Sequence, residues 1–177
     1  MYFQKSEVKG KTALVTGAGK GIGKASAIAL AEAGADLIIL SRTKSDLEKV
    51  KKEIIKLKRK CIIYDCDVSN FEELRSVFNQ ISKLDIIVNN AGTNRPEHFT
   101  KINKEDMDYV VDLNLKAAFH VAQMGAKVMT KQKNRKSIGG SIINVSSQLG
   151  KVGAHKRSIY NMTKFGIEGL TRGMALD

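Results

Sequence analysis

The sequence predicts an α/β domain built on a doubly wound parallel sheet. Three observations predict it. Short apolar runs alternate with segments of helical periodicity along the whole chain. Strands that alternate with helices form βαβ units, hence a parallel sheet covered on both faces, and right-handed crossovers distribute the helices to the two sides. The first apolar run also ends in a cluster of glycines that opens the first helix. A chain of 177 residues is read as one domain with its own core, and no linker, internal repeat or low-complexity tract divides it.

The elements follow in order. "KTALVTG" (11–17) reads as a buried strand, and "KASAIALAEAGA" (24–35) as a small-residue helix ending at Gly34. "DLIIL" (36–40) is the second strand. "SDLEKVKKEIIKLKR" (45–59) is a helix with Leu47, Val50, Ile54 and Leu57 on one stripe, Ser45 as N-cap and Glu48 as its capping-box partner. "CIIYD" (61–65) is the third strand, and "NFEELRSVFNQIS" (70–82) a helix capped by Asn70. "LDIIVNNAG" (84–92) is a strand running into a turn, followed by one long helix over 104–131. "GGSIINVSS" (139–147) is the fifth strand, and "SIYNMTKFGIEGLTRGMAL" (158–176) the last helix.

Composition removes several function classes. The formal charge is +12, mostly from lysine, with mild clusters at 49–60 and 127–136. Both fall on helical periodicity, where lysine is expected on the wet face. A nucleic-acid footprint would favour arginine with interleaved aromatics, so no nucleic-acid partner is expected. A basic field would still attract phosphorylated or acyl-phosphopantetheine ligands. Cys61 and Cys66 fit no metal motif, and His98, His120 and His155 are scattered, so no metal site is expected and a reduced, cytoplasmic protein is. No apolar run approaches the length of about 18 residues that a membrane span needs. The stretch "MYFQKSEVKGK" lacks the apolar core of a signal peptide.

The turn "TGAGKGIG" (16–23) departs from the usual GxGxxG spacing, because the sixth position counted from Gly17 is Ile22. Gly17, Gly21 and Gly23 give GxxxGxG instead, with Gly19 extra. Gly17 permits the tight turn, Gly21 lets backbone amides approach a pyrophosphate, and Gly23 lets the helix pack close to the sheet. The helix N-terminus, with Lys20 and Ile22 beside it, then faces the phosphates. In this strand–turn–helix setting the turn reads as a dinucleotide site of the Rossmann type; a purely structural turn is the competing reading.

Four motifs occur in order: that turn, "NNAG" (89–92), "INVSS" (143–147) and "YNMTK" (160–164). On these the chain resembles the short-chain dehydrogenase/reductase family from residue 8 onward. At the end of the second strand, where a carboxylate would bind a ribose 2′-hydroxyl, the sequence has Ser41 followed by Arg42. Two cations, Arg42 and Lys20, and no carboxylate favour NADP(H) over NAD(H); Arg42 as a plain exposed residue is the competing reading. The resemblance implies that Asp67 and Val68 flank the adenine. It also implies that Asn90, Ala91 and Gly92 line the adenosine ribose, with Asn89 supporting the sheet or contacting ligand.

Tyr160 and Lys164 stand four residues apart and so share a helix face. A free phenol titrates near pH 10 (about 10), and a neighbouring ammonium favours the phenolate. Such a phenol can deliver a proton to a carbonyl oxygen as hydride arrives from a nicotinamide, or remove one from an alcohol. Ser147, at the carboxyl end of the fifth strand, can hydrogen-bond the same oxygen; strand alternation turns Ser146 to the other face. The resemblance implies that Lys164 also binds the nicotinamide ribose, and that Asn114 holds a water relaying protons through Lys164. The candidate catalytic set is therefore Asn114, Ser147, Tyr160 and Lys164.

The resemblance further leads us to expect a sixth strand, a Pro-Gly turn, a substrate-covering helical loop and a seventh strand beyond Asp177, so that the sequence is expected to be a fragment of a longer enzyme. It resembles the subgroup of 3-oxoacyl-carrier-protein reductases and gluconate 5-dehydrogenases. The expected reaction is reduction of a 3-oxoacyl thioester on acyl-carrier protein or CoA, with a polyol or sugar-acid dehydrogenase as the alternative and a non-catalytic dinucleotide-binding module as a second. Gln148, His155, Lys156 and Arg157 could meet an anionic substrate or simply be solvated. The helix over 104–131 carries more apolar residues than one face needs (Met107, Val110, Val111, Val121, Met124, Val128), which core burial explains in part; the resemblance implies that this helix and the last one pair between copies, as a homotetramer or homodimer.

Overall fold

The computed structural model describes residues 8–133 and 139–177; residues 1–7 of the N-terminal stretch and 134–136 of the second basic cluster lie outside them. Five parallel strands form one sheet: β1 (Thr12–Thr16), β2 (Asp36–Ser41), β3 (Cys61–Asp65), β4 (Ile86–Asn89) and β5 (Ser141–Asn144), in spatial order β3-β2-β1-β4-β5. The register is regular, with Leu14 beside Ile38 on one side and Ile87 on the other. Chain order reverses between β1 and β4, and at such a point the loops after adjacent strands diverge and leave a crevice.

Period-two alternation splits the strand side chains between two cores. Ala13, Val15, Leu37 and Ile39 face Ala27 and Ala31 of α1 (Gly21–Glu32) and Leu47, Val50 and Ile54 of α2 (Lys44–Lys56). Leu14, Ile38, Leu40 and Ile87 face Leu74 and Phe78 of α3 (Phe71–Asn79) and Val121 of α5 (Ala117–Thr130). The strands are thus apolar on both faces, as a sheet covered on both sides requires. The last helix, α6 (Ser158–Met174), packs on α4 (Lys104–Val111).

Several boundaries differ from the sequence expectations. α1 begins at Gly21, inside the glycine motif, with the Lys24 N–H donating to the Lys20 carbonyl at 3.2 Å. α2 begins at Lys44 after Thr43, so Ser45 is a first-turn residue and not the cap. Ser41 Oγ takes the Thr43 N–H instead, at 3.3 Å. Leu57 falls just past α2 and is 38% exposed, off the buried stripe. Asn70 does cap α3, accepting from the N–H groups of Glu72 and Glu73. The expected single helix over 104–131 is α4 and α5 joined by a π-helical turn, Asp112–Lys116. β5 ends at Asn144, three residues before Ser147.

Candidate active site

The loops that leave the carboxyl ends of β1 to β4 enclose a cleft of about 330 Å³. Gly17, Gly19, Lys20 and Ile22 line it from the first turn, Ser41 and Arg42 from the end of β2, Asp67 and Val68 from the loop after β3, and Asn90, Ala91 and Gly92 from the loop after β4. Gly21 and Gly23 do not line it, and their roles are different. Gly21 is left-handed, φ 55°, with open space where a side chain would stand. A Cβ on Gly23 would lie 2.3 Å from the Gly17 carbonyl oxygen and 2.5 Å from Asn90 Nδ2, so helix and turn approach as closely as backbone allows.

The turn is braced from β4. Thr16 Oγ1 accepts the N–H groups of Asn90 and Ala91, both at 3.0 Å, and Asn90 Nδ2 donates to the Thr16 carbonyl at 2.9 Å. Asn89 is buried and donates to the Ala118 carbonyl at 2.7 Å and to Asn144 Oδ1 at 3.1 Å, so it supports the sheet.

These residues fit a dinucleotide. α1 has no acidic residue in its first turn, and Lys20 at its N-cap makes no side-chain cap. Its first N–H groups therefore lack a side-chain partner, the arrangement that receives a phosphate. Gly17, also left-handed at φ 64°, and Gly21 keep side chains out of the approach.

Charge at the adenosine end differs from the expectation of cations without a carboxylate. Asp46, in the first turn of α2, also lines the cleft, and its Oδ1 takes a hydrogen bond from Lys49 at 3.1 Å. Arg42 NH1 donates to the Tyr109 hydroxyl at 3.0 Å and lies 3.7 Å from Asp67 Oδ2. The Tyr109 hydrogen bond, and after it Asp67, push the guanidinium further above its ordinary value. Sequence reasoning missed Thr43, Asp46, Cys66 and Leu113 as lining residues. Asp46 was readable, since it sits in the first turn of the helix that follows β2. Burial pushes the Cys66 thiol up to about 11 and the Cys61 thiol to about 12, so neither is a thiolate at neutral pH.

The second half of the site lies beyond β5. Ser147 is the N-cap of a 3-10 turn, Gln148–Gly150, and its Oγ accepts the Leu149 N–H at 3.1 Å. Because β5 ends earlier, turn geometry and not strand alternation sets Ser147 apart from Ser146, whose Oγ faces the Lys164 carbonyl at 3.5 Å. Tyr160 is half-buried in the first turn of α6. Lys164, one turn on, is 6% exposed, its Nζ donating to the Val145 carbonyl at 2.8 Å and lying 5.6 Å from the Tyr160 ring centroid. Burial pushes the Lys164 ammonium below its ordinary value.

Asn161 ties the serine turn to α6: its Nδ2 donates to the carbonyls of Leu149, at 3.0 Å, and Val152, at 2.6 Å. Asn114, inside the π turn and buried, accepts the Thr93 N–H at 2.7 Å, donates to the Thr93 carbonyl at 2.8 Å, and reaches Thr163 Oγ1 at 3.2 Å. Thr163 Oγ1 in turn donates to the Tyr160 carbonyl at 2.9 Å. The Asn114 side chain thus braces the Thr93 loop and α6. Among the rim residues, His155 packs edge-on against His98 at 5.2 Å, and the Lys156 carbonyl accepts the Glu97 N–H at 3.2 Å.

A parallel α/β sheet with a dinucleotide cleft at its reversal point, and a serine, tyrosine and lysine grouped beyond its last strand, defines a nicotinamide-dependent oxidoreductase class. The family model described as short chain dehydrogenase matches residues 11–177. The chain is 36% identical over 172 residues to the 3-oxoacyl-[acyl-carrier-protein] reductase FabG of Thermotoga maritima, covering 95% of this chain and 68% of that one. It is 34% identical to the L-xylulose reductase of Mus musculus, over 95% of this chain and 66% of that one. Among solved structures it is similar to carveol dehydrogenase from Mycobacterium avium in complex with NAD, with a TM-score of 0.89 at 30% identity, over 97% of this chain and 66% of that one. This chain belongs to the short-chain dehydrogenase/reductase family, and spans about two thirds of the length of these relatives.

Proposed function

We propose that the protein is an NADP(H)-dependent oxidoreductase that interconverts a carbonyl and a secondary alcohol, with reduction of a 3-oxoacyl thioester as its reaction. The observation that carries this reading is the tie of the Ser147 turn to the Tyr160 helix through Asn161, with the buried Lys164 behind the phenol. A bound nicotinamide would supply the hydride to the carbonyl carbon. Gly17, Gly19 and the α1 N-terminus would hold the pyrophosphate, and Asp67, Val68 and Ala91 would enclose the adenosine. Ser147 Oγ already accepts a backbone N–H, so its own proton is directed outward to the substrate oxygen. Tyr160 delivers a proton to that oxygen, which leaves as the hydroxyl of the alcohol. Lys164 has one ammonium hydrogen on Val145 and the others free for the nicotinamide ribose and for a water that returns the proton. Asn114 fixes the helix that carries both groups.

NADP(H) is favoured by Arg42 and Lys20 at the mouth of the cleft. The thioester is favoured by the similarity to FabG and by the exposed Lys156 shortly before α6, a cation that suits an acyl-carrier protein or CoA. A polyol or sugar reductase is the second reading, on the similarity to L-xylulose reductase. A non-catalytic dinucleotide module would instead show salt-dependent retention on DNA and no turnover. Among the described residues no helix is long and apolar enough to cross a membrane. Two free thiols suit the reducing cytoplasm. Exposed Met107 and Phe119 on the α4–α5 stretch, and Met162 and Phe165 on α6, support pairing of these helices between copies as a homodimer or homotetramer.

Tyr160→Phe is expected to abolish NADPH oxidation and to leave dinucleotide binding within about two-fold, because the ring remains and only the proton donor is lost. Acetoacetyl thioesters and 5-ketogluconate, compared as substrates, separate the two enzymatic readings. Unchanged turnover in Tyr160→Phe would refute the proton-donor assignment.

A further inference from the structure

Arg42 does not project freely from the end of β2. Its NH1 nitrogen is held by the Tyr109 hydroxyl at 3.0 Å, with Asp67 Oδ2 at 3.7 Å. Tyr109 belongs to α4, one turn before Leu113, which lines the adenosine end of the cleft. The tyrosine ring is itself pinned from the other side. Arg95, on the loop after β4, places its guanidinium carbon 5.3 Å from the ring centroid and its Nε 3.7 Å from Asp106 Oδ1. The mouth of the cleft is therefore crossed by a connected series, Asp67–Arg42–Tyr109–Arg95–Asp106, drawn from the loops after three strands and from α4.

We propose that Tyr109 is a specificity-determining positioning residue: it holds Arg42 at the adenosine mouth so that the guanidinium recognises a ribose 2′-phosphate. This rests on the NADP(H) reading above and names a residue that the glycine turn and the end of β2 do not contain. A guanidinium has five N–H donors in a fixed planar fork. Tyr109 engages one nitrogen and leaves the opposite edge, Nε and NH2, without a protein partner among the described residues. A phosphate needs just such an edge for a two-pronged hydrogen bond. An arginine loses much rotamer freedom when it is fixed, and at 56% side-chain exposure Arg42 would otherwise sample solvent widely. The phenol removes part of that freedom before the ligand arrives. Asp67, a weak partner at 3.7 Å, is displaced from NH1 at small cost, and the same carboxylate repels a phosphate that arrives when Arg42 is elsewhere. Discrimination thus depends on where the cation is kept as well as on its presence.

The test measures binding, not turnover. Fluorescence titrations of the whole chain with NADPH and NADH, and calorimetric titrations with 2′,5′-ADP and 5′-AMP, are made on the wild type, Tyr109→Phe, Arg42→Leu and the double variant. Tyr109→Phe keeps the ring that Arg95 covers and removes only the hydroxyl. Loss of one hydrogen bond on this scale corresponds to about five-fold weaker binding. We expect about that loss for NADPH and 2′,5′-ADP, with NADH and 5′-AMP little changed, and no further loss when Tyr109→Phe is added to Arg42→Leu. Equal losses for both cofactors, no loss for NADPH, or the same loss in the Arg42→Leu background would overturn the role of Tyr109 while leaving NADP(H) binding intact. A wild type that prefers NADH, or binds neither cofactor, would overturn this proposal and the NADP(H) reading together.

Discussion

Lys164 is a charge that the fold keeps out of water. It is 6% exposed, and one carbonyl, that of Val145, accepts from its Nζ. Burial lowers its pKa from 10.5, so as pH falls below that value the unfolded chain takes up this proton before the folded one does. Its contribution to stability therefore rises with pH through the window just below 10.5 and is least favourable near neutrality. Lys164→Met has nothing to desolvate. It is expected to match or exceed the wild type in Tm at pH 7, with the difference closing toward pH 10, while losing turnover; thermal melts across pH check this. The residue was legible in the sequence because its spacing from Tyr160 is fixed by the helix. The partners of Arg42 were not. Tyr109 is 67 residues away, and only the fold brings its hydroxyl to the guanidinium.

The first three strands were read to within a residue, since apolar runs bounded by glycine and charge are strong signals, whereas β4 and β5 are shorter at both ends than the expected 84–92 and 139–147. The π turn at 112–116 was not. "DLNLKAAF" carries an uninterrupted helical pattern, and the local chain holds no mark of the extra residue. What stabilises it is tertiary: Asn114 satisfies the N–H and the C=O of Thr93 at once. Replacing Asn114 by Leu orphans both groups, at a cost of about 2–4 kcal/mol, read as a lower denaturant midpoint. π turns of this kind recur at functional sites. α1 is constrained differently. In Gly23→Ala the new methyl meets backbone, which no rotamer change relieves. About 2–3 kcal/mol of stability should be lost, together with dinucleotide binding, in the same titrations that monitor Tyr109→Phe.

For the molecule as a whole, alternating elements, winding and the strand-order reversal were legible, because handedness and connection rules leave few topologies. The distribution of charge around the cleft was less so. Asp46 enters it from the first turn of α2 and Asp67 from the loop after β3, and their convergence is a property of the sheet's order, not of any local motif. Among the described residues β3 and β5 are the two edges, and each exposes an isoleucine: Ile62 at 53% and Ile143 at 47%. Apolar edges invite pairing between chains.

The Asn161 carboxamide grips two carbonyls of the loop that bears the serine and is carried, one position along, by the helix that bears the phenol. A fluctuation opening that loop must break both grips together. The two hydroxyls are thus expected to drift as one rigid body, keeping their separation through excursions that would scatter groups borne on independently moving segments.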